Sequence, residues 1–149
     1  MNKLKNERGQ SLVELAISLV LLLLLLSGTV EFGMAFFQFI QLRDAAQEGA
    51  LFGSINPTVS SPIETRARGA SSSPINLANT SIVTVTITAT DKTTNAVKSL
   101  AGACEGDGLV VKLQFNHVIF MPFIPAVLGR TTIPLSATVT DTILTPVCP

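Results

Sequence analysis

Arg8-Gly9-Gln10-Ser11-Leu12-Val13-Glu14-Leu15-Ala16 opens an apolar run that continues through a string of leucines to Val30. Lys3, Lys5 and Arg8 make the residues ahead of the run basic against a lone Glu7, and from Leu12 to Val30 only Glu14 is charged. As a helix the stretch from Leu15 to Val30 covers about 24 Å. Leu12 and Val13 on one side and Phe32 onward on the other bring it to the thickness of a bilayer core. A carboxylate inside such a run costs on the order of 3 kcal/mol on insertion scales, so it calls for a partner. A cut after Gly9 would put a new amino group on Gln10, four residues before Glu14 and therefore on the same helical face. Amine and carboxylate would then neutralise each other. They would do so within one chain or between the Glu14 of one copy and the Gln10 amine of the next, and the second arrangement makes a polymer.

A short basic leader, a Gly before the cut, a Glu five residues into the mature chain and an apolar helix look like a type IV prepilin signal. The fuller set is Arg8 to Ala16, Val30-Glu31-Phe32-Gly33 and Ala45-Ala46-Gln47-Glu48-Gly49-Ala50. Together these resemble the TadE-like family, small pilin-like proteins of the tight-adherence (Tad) pilus system. The resemblance covers the first third of the chain, and farther on two final strands joined by a Pro-rich apolar turn follow the same pattern. It implies a structural subunit, a minor pilin or pseudopilin, of a Tad-type type IV pilus or related secretion or adhesion filament. Its partners would be a prepilin-type peptidase cutting between Gly9 and Gln10, other pilin subunits, the pilus assembly machinery and membrane lipid. An uncleaved, membrane-anchored extracytoplasmic binding domain is the alternative, and it needs neither the cut nor the charge of Glu14.

At 149 residues the chain has room for one compact domain beside a membrane segment. The expected divisions are a leader over 1–9, a helix with a transmembrane half over 10–53 and an extracytoplasmic β-rich domain over 54–149. Lys plus Arg equal Asp plus Glu at ten each, and Trp and Tyr are absent, so nothing supports nucleic-acid binding. Loss of Lys3, Lys5, Arg8 and Glu7 with the leader leaves seven basic and nine acidic residues. A secretory signal cut near Ser27-Gly28-Thr29 fits less well, because the helical pattern runs on through Val30, Phe32, Phe36, Phe39 and Ile40. Positive charge before the span, with only Arg43 near its far end, places the leader in the cytoplasm and the bulk of the chain outside. This predicts a single-pass protein of the cytoplasmic membrane, extracellular once it is in a pilus.

Glu31 lies on a different helical face from Glu14, and it reads equally as an interfacial residue or a subunit contact. Phe32, Phe36, Phe39 and Ile40 form an apolar stripe suited to the interface or to neighbouring helices. Ala45, Ala46, Gly49, Ala50 and Gly53 then form a small-residue face that admits close packing. The periodicity predicts one helix from about Ser11 to Phe52, ended by Gly53-Ser54 and Asn56-Pro57, with its last turns against a sheet. A short helix is expected from Ser61-Pro62 through Glu64 to Ala70, with Arg66 and Arg68 solvated.

Val83, Val85, Ile87 and Ala89 alternate with threonines as a half-buried strand, followed by a turn over Asp91 to Asn95. Leu109, Val111, Leu113 and Phe115 mark the inward face of a second strand, with His117 in phase. Ile133, Leu135, Ala137 and Val139 mark a third, where Pro134 calls for a late start or an edge position. The fold class expected is α+β: a long N-terminal membrane-spanning helix packed at its outer end on an antiparallel sheet of about three strands. Between the last two strands, Phe120 to Gly129 is too apolar for solvent. It either folds back over its own sheet or helix or meets another subunit or lipid headgroups, and Phe123, with Glu31, Phe32 and Phe36, is a candidate subunit contact.

Cys104 and Cys148, the only cysteines, both fall in the part expected outside the reducing cytoplasm and are expected to form a disulfide. A register pairing Phe115 with Ala137 and Leu113 with Val139 extends to place the two cysteines opposite each other, although slips by two residues are equally permitted. Glu105-Gly106-Asp107-Gly108 reads as a turn, since it lacks the alternating oxygen ligands of a calcium loop. No metal site, cofactor motif or catalytic constellation is found, so an enzyme is not expected.

Overall fold

The computed structural model describes residues 7–148, with side chains from Gly9 onward. Lys3, Lys5 and the rest of the leader up to Asn6 lie outside the described residues. The elements in order are α1 (Glu7–Ile55), α2 (Ser60–Gly69), β1 (Val83–Thr90), β2 (Val97–Lys98), a single 3-10 turn at Leu100–Gly102, β3 (Gly108–Val118), α3 (Ile124–Leu128) and β4 (Thr132–Thr142). The fold is α+β, with a long apolar N-terminal helix and a small antiparallel sheet, as the periodicities predicted. The sheet has a fourth strand, β2, whose two residues are too few to carry an alternation pattern. Two compact units are distinguished: the chain up to Met34 with Val118–Thr131, and Ala35–His117 with Thr132–Pro149.

In the second unit the strand order is β2-β1-β3-β4. The alternating threonines of β1 put Val83 opposite Phe115, Val85 opposite Leu113 and Ala89 opposite Leu109, so both apolar sets lie on one face. Pro134 sits on β4, an edge strand, where its missing N–H leaves no ladder bond unmade. The small-residue face of α1 covers this sheet: Leu42, Ala45, Ala46 and Ala50 are fully buried with Ile63, Ala67, Leu77, Val111 and Leu113. Close approach is the reason for the glycines. A Cβ on Gly49 would lie 3.0 Å from Ala67 Cβ, and one on Gly53 would collide with the Leu109 side chain and lie 2.9 Å from Ile63 Cδ1.

α1 runs to Ile55, three residues beyond the Phe52 expected for its last turn. Its final carbonyls are satisfied from the far end of the chain. Leu144 N–H donates to Ser54 O at 2.8 Å and Thr145 Oγ1 to Ile55 O at 3.0 Å, covering orphan acceptors that would otherwise need water. Gln41 performs a similar task for a loop, donating to Ile75 O at 2.7 Å and accepting from Ile75 N–H at 2.9 Å.

Arg68 corrects an expectation. It is largely buried, donating to Glu64 at 2.7 Å, to Leu77 O at 2.8 Å and to Val83 O at 3.2 Å. Besides Glu64 one turn earlier, the planar fork of the guanidinium reaches the carbonyls of Leu77 and Val83, which no local pattern reveals. Arg66 is exposed as expected, paired with Glu48 at 3.0 Å.

Candidate assembly site

From Gly9 to Leu26 every residue of α1 is exposed, and its leucines and valines face outward on all sides. A helix apolar all round either fills a protein interior or crosses a membrane, and none of this segment is buried by the described residues. Gln10 and Glu14 lie one turn apart on this surface, and Glu14 has no partner among the described residues. Backbone geometry therefore sets an amine created at Gln10 within a turn of the carboxylate.

Glu31 is a different kind of acid. It is 3 % exposed, and its carboxylate accepts three close contacts from backbone N–H groups of the apolar loop. Phe120 donates to Oε1 at 3.1 Å and to Oε2 at 3.2 Å, and Met121 donates to Oε2 at 2.8 Å. Neither reading of Glu31 from sequence foresaw this bond, made across 89 residues. The available signal was an acid at the edge of an apolar span in a chain with an uncharged, apolar loop whose amides need acceptors. The loop folds back on the helix as one of the two expected arrangements had it, with Ile124 Cδ1 3.9 Å from the position of a Cβ on Gly28. Yet Phe120, Phe123, Val127 and Leu128 remain exposed, as do Phe32 and Phe36 on α1.

His117 is buried on the inward face of β3, with Nδ1 2.6 Å from Gln38 Oε1. Cys104 and Cys148 form a disulfide, with Cα atoms 5.0 Å apart. The bridge is the expected one, but the register that supported it is not. Ile143 N–H donates to Asp107 O and Ile119 N–H to Thr131 O, which aligns Leu113 with Ala137, two residues from the pairing inferred from sequence.

A turn, rather than straight extension of the strands, brings the cysteines together. Its centre is Asp107, 1 % exposed, which accepts from Lys98 Nζ at 2.7 Å, from Cys104 N–H at 2.9 Å and from Lys92 N–H at 3.2 Å. The Lys98 ammonium and the Cys104 amide hold its carboxyl well below the usual range, at about 2. Gly106, at φ +90°, supplies the left-handed residue this turn requires.

α1 has the length and composition of a single-pass membrane anchor and is exposed from Gly9 to Leu26, and the chain carries a small antiparallel sheet and a disulfide. Residues 9–51 match the family described as TadE-like protein, so over that stretch the resemblance read from the sequence holds, and with the apolar helix it fits a Tad pilin-like protein. No curated protein and no solved structure matches the chain.

Proposed function

We propose that this chain is a structural, non-catalytic subunit of a Tad-type pilus or related filament, a minor pilin or pseudopilin that assembles through its N-terminal helix after removal of residues 1–9. The supporting observation is the coincidence of the TadE-like match with an exposed apolar segment, Gly9 to Leu26, whose one acid, Glu14, lies a turn from the cut. In the membrane the helix is solvated by lipid. In a filament the same apolar surface packs on neighbouring helices, and the Gln10 amine of one subunit meets the Glu14 of another. Removal of the leader frees that amine and discards Lys3, Lys5 and Arg8, whose charge holds the uncut N-terminus at the cytoplasmic face. The β-rich domain then lies outside, where its disulfide is stable.

Mass spectrometry of protein recovered from cells with an active prepilin-type peptidase tests the reading. A chain beginning at Gln10 is expected. A chain still beginning at Met1, or one beginning near Gly28, would reject it.

A further inference from the structure

The geometry points to a second membrane element: the Phe120–Leu128 loop inserts into the lipid leaflet at the C-terminal end of the span, alongside α1. This rests on the reading of α1 as a membrane helix, and the loop's position on that helix carries it. Ile124 lies against Gly28, and the shallow groove there is walled by Leu24, Leu25, Gly28, Thr29 and Phe32. Leu24 is six residues short of Val30, the end of the apolar run, or about 9 Å along the helix. When α1 spans a bilayer, the loop is therefore carried to hydrocarbon depth.

The loop is composed for that setting. Phe120 to Gly129 contains no charged residue, and Phe120, Phe123, Val127 and Leu128 present their apolar side chains outward. Arg130, exposed at its end, is placed to reach headgroup phosphate. Backbone polarity, the usual obstacle to a loop in hydrocarbon, is reduced by internal bonds. Ile119 N–H donates to Thr131 O, Ile124 N–H to Met121 O and Gly129 N–H to Pro125 O, while Pro122 and Pro125 have no N–H to satisfy. At the loop's start, Phe120 and Met121 donate to Glu31. In water these two amides would have solvent as a partner. A buried carboxylate in reach of both is what a loop sheltered from water requires.

The chain has no Trp or Tyr, so a single introduced tryptophan reports its own surroundings. Full-length Phe123→Trp and, separately, Val127→Trp are placed in phosphatidylcholine vesicles whose acyl chains carry bromine in their outer half. Leu25→Trp serves as the reference within the span. The expected result is blue-shifted emission and quenching of both loop tryptophans comparable with that of Leu25→Trp, with little quenching by aqueous acrylamide. Quenching of Leu25→Trp alone, with both loop tryptophans open to acrylamide, would overturn the insertion and leave the span standing. Loop tryptophans shielded from acrylamide only at high protein-to-lipid ratio would also overturn it, since a second copy would then be the cover. An unquenched Leu25→Trp would instead remove the membrane reading of α1 itself.

Discussion

Replacing Glu31 with alanine removes the acceptor of two amides at once. Phe120 and Met121 N–H lie 2.8–3.2 Å from its carboxylate oxygens in a site where Glu31 is only 3 % exposed. Leaving a buried donor unsatisfied costs about 1–3 kcal/mol, so two orphaned amides together cost about 2–6 kcal/mol. The loop therefore opens locally before the sheet unfolds. Hydrogen exchange of the full chain in a membrane mimetic reads the effect directly. Protection of the Phe120 and Met121 amides should fall at least about 30-fold in Glu31→Ala, the equivalent of the lower bound above. Amides of β1 and β3 should keep their protection and serve as the internal reference. Glu31→Gln retains one oxygen acceptor but loses the charge, and since charge-assisted bonds are about twice as strong as neutral ones it should fall between parent and Glu31→Ala. Unchanged exchange at both amides in Glu31→Ala would refute the reasoning, because the carboxylate would then not be what holds the loop.

Glu14→Ala should be inserted as well as the parent or better, since it removes a membrane carboxylate, yet enter filaments poorly because the Gln10 amine loses its counter-charge. Cleavage, membrane level and pilus incorporation are scored separately, and normal incorporation of cleaved Glu14→Ala would mean the carboxylate does not set assembly. Replacing Cys104 and Cys148 by serine opens a loop of 44 residues and should lower stability to urea by up to about 4 kcal/mol. Asp107 has its pKa depressed to about 2 by Lys98 and the Cys104 amide. Its stabilising contribution is therefore complete above the unfolded value near about 3.9 and is lost as pH falls toward about 2. Melting temperature should drop across that window, and Asp107→Asn should flatten the drop while being less stable at neutral pH. Gly53→Ala gains about 1 kcal/mol of helix propensity but must displace Leu109 and Ile63 at an overpacking cost of about 1–3 kcal/mol, giving a net loss of about 1 kcal/mol by thermal melting. Gly33→Ala, which meets nothing within 4 Å, should show only the gain.

The elements of this protein were legible because their signals are local. The apolar run of α1 is marked by its length, while the threonine alternation of β1 and the inward series on β3 and β4 repeat with the period of a strand, and burial follows that period. The small face from Ala45 to Gly53 likewise announced a close approach, since only small side chains let a helix lie so near a sheet. Gln10 and Glu14 could be related without any tertiary structure, because one turn of helix sets their spacing. Two cysteines admit one pairing, so the disulfide was available even from a register displaced by two residues; a two-residue slip keeps the same side chains facing inward, and hydrophobic pattern alone cannot choose between such registers.

Tertiary structure alone decided where the isolated polar groups went. Arg68 reaching Leu77 and Val83, Asp107 gathering Lys98 and the Cys104 amide, and Glu31 accepting from Phe120 and Met121 have no period to betray them. Each is a single side chain matched to backbone groups, and for Asp107 also to the Lys98 ammonium, that chain folding leaves open, some of them many residues away. Hydrogen bonding of this sort depends on distances of a few tenths of an ångström between segments remote in sequence, and those distances exist only after the elements have packed.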